Sequence, residues 1–136
     1  MAKVTGIVSS LSITDAAGVA QTISADTTQV TISIPRGQQD VTGLDKVAVE
    51  RLGLLYDCTI TVTGVADFAA DKEHAVFKAD PSGSTTRLVT IVLSNSAATL
   101  TAHCNLSDYT FTRAQDGSLT YTATLVNADG VEPGWA

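Results

Sequence analysis

Apolar and polar residues alternate along most of this chain with a period of two, the spacing of a strand with one buried face. From Val4 to Ile13, the residues Ile7, Ser9, Leu11 and Ile13 share a face. In Gln29 to Pro35, Val30, Ile32 and Ile34 alternate with Thr31 and Ser33, and Pro35, lacking an amide donor, stops the ladder. Tyr56 to Val65 sends Cys58, Ile60 and Val62 one way and Asp57, Thr59, Thr61 and Thr63 the other. Ala98, Leu100, Ala102, Cys104 and Leu106 form another such row. Ser107-Asp108 then shifts the parity, so Tyr109 and Phe111 become the buried positions and a bulge is expected. Ser118 to Ala128 returns with Leu119, Tyr121, Ala123 and Leu125 inward. Arg87 to Leu93 is apolar nearly throughout, which predicts a strand covered on both faces.

Turn chemistry separates these runs. Asp15-Ala-Ala-Gly18, Asp80-Pro-Ser-Gly-Ser84 and Asn127-Ala-Asp-Gly130 read as turns, and Asp116-Gly117 supplies the positive φ of a hairpin. Arg36-Gly-Gln-Gln-Asp40 is polar and turn-like. Val41-Thr42 reads as a short β piece broken by Gly43. The spacing of Leu44, Val47 and Leu55 allows a helical turn or two, limited by Gly53, while Asp67 to Lys78 suits a short amphipathic helix. The expected fold is mainly β: two packed antiparallel sheets, sandwich- or barrel-like, with one short flanking α-helix. A single domain covers residues 1–136, with an N-terminal strand or arm within 1–28 and a short C-terminal tail at 129–136.

Composition reinforces the strand reading. The 136 residues include twenty threonines, whose β-branched side chains suit a pleated surface. Hydrophobic residues make up 44% and aromatics 5%, so aliphatic side chains must fill the core. Eight basic against fourteen acidic residues give a net charge of −6, which favours solubility and disfavours phosphate binding. No apolar run approaches the ~18 residues of a membrane span, and no apolar block of a secretory leader follows Met1, so synthesis and folding in cytoplasm are expected. Cys58 and Cys104 fit either an intersheet disulfide or two buried thiols, and a cytoplasmic setting favours the thiols.

Catalytic patterns are missing from the sequence. His74 and His103 have no second ligand at metal spacing, and His103 and Cys104 point to opposite faces of a strand. Both histidines read as solvated or interface residues. Ser82 lies in a turn outside any nucleophile motif, and the ten glycines are scattered at turns rather than gathered in a phosphate loop. Asp67, Asp71, Glu73 and Asp80 lack calcium-loop spacing. Isolated Lys72, Lys78 and Arg87 make no nucleic-acid surface. No enzyme activity, cofactor or metal is expected.

Several segments, in order, resemble a known family. They are Asp40-Val-Thr-Gly-Leu-Asp45, then Leu52-Gly-Leu-Leu-Tyr-Asp-Cys-Thr-Ile-Thr-Val62, then His74-Ala-Val-Phe77 and Ser94-Asn-Ser-Ala-Ala-Thr-Leu100. Ser107-Asp-Tyr109, Asp116-Gly-Ser-Leu-Thr-Tyr121, Asn127-Ala-Asp-Gly130 and Pro133-Gly-Trp135 continue the order. Over residues 29–136 the chain resembles the major tail tube proteins of long, flexible-tailed phages (siphophages). The resemblance implies a virion subunit that polymerises as stacked hexameric rings into a hollow tube, through which DNA passes without specific binding. It implies self-association, contacts with tape-measure and with tail terminator or tip proteins, assembly in the host cytoplasm, and no membrane partner. It makes Pro35, Arg36, Gly37, Gln38, Gln39 and Asp40 candidates for contact with the next ring. It also gives the acidic balance a role, since carboxylates lining a lumen would repel DNA phosphates. An immunoglobulin-like capsid decoration or adhesion domain is the alternative, and a small β-fold enzyme a more distant one.

Overall fold

The computed structural model describes residues 10–15, 19–23, 27–66, 68, 72–78, 86–93, 98–128, 130 and 132–135. Ten strands and one helix occur among them: β1 (Ser10–Thr14), β2 (Ala20–Thr22), β3 (Thr27–Ser33), β4 (Arg36–Asp40), β5 (Arg51–Tyr56), β6 (Thr59–Val65), α1 (Glu73–Phe77), β7 (Thr86–Leu93), β8 (Ala98–Arg113), β9 (Leu119–Asn127) and β10 (Gly134–Trp135). Eight strands form one antiparallel sheet in the order β2-β1-β7-β8-β9-β6-β3, with β10 also on β8; β4 and β5 form a separate two-stranded sheet.

The sixteen residues of β8 make it the hinge of the large sheet. Its first part, Ala98 to Asn105, pairs with β7, and its second part, Cys104 to Arg113, pairs with β9. The register shifts between Leu106 and Asp108, where the parity change in the sequence predicts a bulge. The path's two edge strands, β2 and β3, are consecutive in the chain and form no ladder with each other among the described residues; Thr27 Oγ1 donates to the Ile23 carbonyl at 2.9 Å and lies 3.2 Å from the Tyr121 hydroxyl. The architecture is mainly β, with two antiparallel sheets and one short helix, as expected.

One core serves both parts. Leu11 and Ile13 from β1, Val89 and Ile91 from β7, Leu100, Ala102 and Cys104 from β8, Tyr121, Ala123 and Leu125 from β9, and Ile60 and Val62 from β6 are buried in a single cluster. Every one is an inward position of the period-two pattern. Helix α1 adds Val76 and Phe77, and the Phe77 ring lies 5.4 Å from Tyr109 and 6.1 Å from Tyr121. Arg87 is buried too. Its Nη1 donates to the Thr14 carbonyl at 2.8 Å and to the Val76 carbonyl at 2.6 Å, tying β7 to β1 and α1.

The outward positions form rows of hydroxyls. Thr31, Thr61 and Thr124 are cross-strand neighbours on β3, β6 and β9, and Thr63, Thr122 and Thr110 make a second row. No outward position of β6 or β9 carries a charge. The described carboxylates lie elsewhere: at strand ends and turns, on the β4–β5 hairpin, at the first residue of α1, in the C-terminal tail, and at Asp108 beside the bulge.

Several expectations need correction. Arg36–Asp40 is a strand rather than a turn, and the Leu44–Leu55 stretch is not helical: its second half is β5. Neither segment buries a face, so neither carries the alternation or helical spacing that burial imposes. Tyr56 belongs to β5, and the next strand starts at Thr59. Leu88 is exposed, so β7 is covered on one face only, and Phe111 is exposed beside half-buried Tyr109. Part of the short tail is strand β10, which pairs Gly134 with Thr101 and Trp135 with Leu100. Strand β2 went unread. The first strand before Ser10, the turn residues 16–18 and 80–84, the start of the helix at 69–71 and most of the 1–28 arm lie outside the described residues.

Candidate assembly surface

Among the described residues, the β4–β5 hairpin is an arm that pairs with no other strand. Gln38 pairs with Gly53, Gln39 with Leu52 and Asp40 with Arg51, with a bulge between Arg36 and Gln38. An isolated two-stranded hairpin is marginal in water, so local bonds at both ends matter. At the tip, Asp40 Oδ1 accepts from the Thr42 amide at 3.0 Å and from its hydroxyl at 2.6 Å. The Glu50 amide donates to Thr42 Oγ1 at 2.8 Å, and the Val41 amide to the Glu50 carbonyl at 3.0 Å. These bonds to Thr42 hold the exposed Asp40 carboxyl below its ordinary 3.8. Lys46 and Glu50 form a surface ion pair of 3.4 Å.

The arm exposes a row of large apolar side chains. Leu44 and Val47 at the tip are fully exposed, Leu55 is 90% exposed, and Val49, Leu52 and Leu54 are each exposed by more than two-fifths. Burying one such side chain is worth ~1.5–3 kcal/mol, so a partner covering the tip would gain several kcal/mol.

At the root, the Arg36 guanidinium lies 4.6 Å above the Tyr56 ring, and its Nε donates to the Leu54 carbonyl at 2.8 Å. The Asp57 amide closes the base on the Pro35 carbonyl at 2.9 Å. Gly53 makes this packing possible, since a Cβ there would fall 2.6 Å from the Arg36 guanidinium carbon. Between this root and the end of β9 lies an open cleft of about 360 Å³, lined by Arg36, Leu54, Leu55, Tyr56, Asn127 and Glu132. Asn127 Oδ1 is buried without a hydrogen-bond donor.

The sequence candidates divide accordingly. Arg36 to Asp40 form one whole strand of the arm, and Pro35 closes its base. The apolar tip that follows was missed as a surface, although its signal is visible: apolar residues in a stretch with neither strand nor helix burial. A second exposed patch was also missed. Phe68 stacks on Phe111 at 5.9 Å and meets His74 edge-on at 4.8 Å, and His74 Nδ1 lies 3.2 Å from the Tyr109 hydroxyl.

The described residues hold no cluster of His, Cys, Asp and Glu able to bind a metal ion. Cys58 and Cys104 are free and buried, as the thiol reading expects. Burial, with Cys58 nearby, pushes the Cys104 thiol up to about 12, and burial raises Cys58 as well. Both are poor nucleophiles at neutral pH.

No protein-family model matches the chain, and no curated protein matches it. Solved structures do. A chain in the virion of a native gene transfer agent particle superposes with a TM-score of 0.70 and 18% identity, over 93% of this chain and 95% of that one. A chain in the tail of an empty gene transfer agent particle, refined with C6 symmetry, gives a TM-score of 0.65 and 17% identity over 82% of both. The chain therefore shares its fold with chains found in the virion and the tail of gene transfer agent particles, in agreement with the resemblance to tail tube proteins.

Proposed function

We propose that this chain is the subunit of a phage tail tube, polymerising as stacked hexameric rings around a hollow channel for DNA. One observation carries the reading: on a fold shared with a C6-symmetric tail, a two-stranded arm projects an apolar tip that its own chain leaves uncovered. An open polymer needs a surface on one subunit that differs from the surface it meets on the next, and an arm supplies one half of such a contact. Pro35, Arg36, Gly37, Gln38, Gln39 and Asp40 then act as inter-ring contacts together with Leu44 and Val47. Tape-measure and tail terminator or tip proteins are the further partners. The subunit assembles in the host cytoplasm, ends in the virion tail and catalyses nothing. The uncharged hydroxyl rows on β6 and β9, and the carboxylates on turns and ends, give DNA no cations to bind.

Negative-stain electron microscopy of concentrated protein tests this. Hollow tubes of uniform width are expected, and Leu44→Asp with Val47→Asp should abolish them while leaving the circular dichroism spectrum unchanged. Wild-type protein that stays monomeric at every concentration would refute the proposal.

A further inference from the structure

Four positions on adjacent strands fall in one line across the large sheet. Arg87 on β7 is opposite Cys104 on β8, and Cys104 is opposite Asn127 at the end of β9. On the far side of β9, the Asn127 amide donates to the carbonyl of Cys58, the residue before β6, at 2.8 Å. Opposite residues of antiparallel strands share a face, so both thiols stand in the core with one asparagine between them. We infer that Cys58 and Cys104 are the two ligands of a site for a soft d10 cation such as Cu(I), held across β9 beside the Asn127 amide.

The spacing favours an ion over a disulfide. Two strand spacings of ~4.8 Å separate the cysteine Cα atoms by about 9.6 Å, whereas a disulfide spans at most ~6.8 Å. An ion between the sulfurs replaces one S–S bond of ~2.05 Å by two metal–thiolate bonds of ~2.3 Å each, which extends the reach by about 2.5 Å, to about 9.3 Å. That span fits linear coordination by two thiolates, the soft ligands that select Cu(I). A pair of thiols is no site for zinc or calcium, which need more ligands than the row holds.

Charge and access agree with this ion. Binding replaces two thiol protons by one cation, so the occupied site carries one net negative charge and two protons leave to solvent. A buried anion needs a cation near it, and the buried Arg87 is in the same row. Asn127 Oδ1 is a buried acceptor without a donor, the one neutral oxygen that the row offers as a further weak ligand. Asn127 also lines the open cleft while neither thiol does, so the row meets solvent through this residue. Burial keeps both thiols protonated at neutral pH, and only an ion whose thiolate bonds offset the loss of two protons is taken up. Once bound, it would tie β6 to β8, which β9 separates in the sheet.

Ag(I), a d10 ion that does not change oxidation state, is the probe. In chloride-free, weakly buffered solution at pH 7, the folded full chain should bind one Ag(I), release two protons and melt about 5 °C higher. Cys58→Ala and Cys104→Ala should each weaken binding by about a hundredfold and remove the shift in melting. X-ray absorption of the wild-type complex should find two sulfur neighbours around silver, a readout that needs no variant to fold. Uptake only after urea unfolds the chain, a single sulfur neighbour, or wild-type affinity in either alanine variant overturns the site.

Discussion

Replacing Arg87 with methionine should be among the most damaging substitutions in this domain, for reasons that can be worked through atom by atom. Methionine keeps most of the unbranched stem and so limits the cavity. It removes the Nη1 that donates to the carbonyls of Thr14 and Val76. Each buried carbonyl left without a donor costs ~1–3 kcal/mol, or about 2–6 kcal/mol for the pair. Part returns because the variant no longer buries a charge, leaving a net loss of about 3 kcal/mol. With a urea m-value of ~2 kcal/mol/M, the unfolding midpoint should fall by about 1.5 M. Far-UV circular dichroism, at concentrations below assembly, reads this directly. Arg87→Lys should fall between, since its ammonium keeps enough donors for both carbonyls but ends a shorter side chain than the one that carries Nη1 to them. If Arg87→Met stays within ~0.5 kcal/mol of wild type, the strut from β7 to β1 and α1 contributes little and the reasoning fails.

Other expectations follow from the arm, the core and the charge. Gly53→Ala should displace the Arg36 guanidinium from Tyr56 and lose its bond to Leu54, loosening the arm by about 1 kcal/mol; amide exchange at residues 36–40 should quicken, and unchanged rates would count against the packing. Cys58 and Cys104 should resist thiol reagents at pH 8 until urea unfolds the chain. Their folded pKa values are raised, so their contribution to stability is intact below the ordinary thiol value of 9.0 and is lost as pH rises from there towards about 12. A midpoint indifferent to pH between 9 and 11 contradicts that burial. The subunit should show no measurable DNA binding in a low-salt filter or gel-shift assay; tight, salt-sensitive binding would remove the basis for free passage of DNA.

Burial decided what could be read from the sequence. Most strands with one face in the core announced themselves by parity, β7 with its apolar outward residues being the exception, and Leu11, Ile60, Val62, Leu100, Ala102, Tyr121, Ala123 and Leu125 are inward as their spacing requires. Even the bulge near Ser107 was legible, because a parity shift has no other cheap explanation. The arm was not, since residues that touch no core are under no periodic constraint. Gln38, Gln39 and Gly37 look like a turn, and Leu44, Val47 and Leu55 mimic a helical face, because nothing in their own chain orders them. Trp135 was read as tail because a two-residue edge strand has no period to detect. Residues 35–40 became candidates through family resemblance alone, while the exposure of the apolar tip beside them is visible only in the structure.

Chain order adds timing to the sheet. β6 lies between β3 and β9, and β9 is made more than fifty residues after it, so the edge of β6 stays open until the chain is nearly finished. An open, uncharged strand edge is a template for pairing with other chains. Chains stopped before β9 should accordingly aggregate rather than fold; a soluble, cooperatively unfolding fragment would show that β6 does not need its late neighbour.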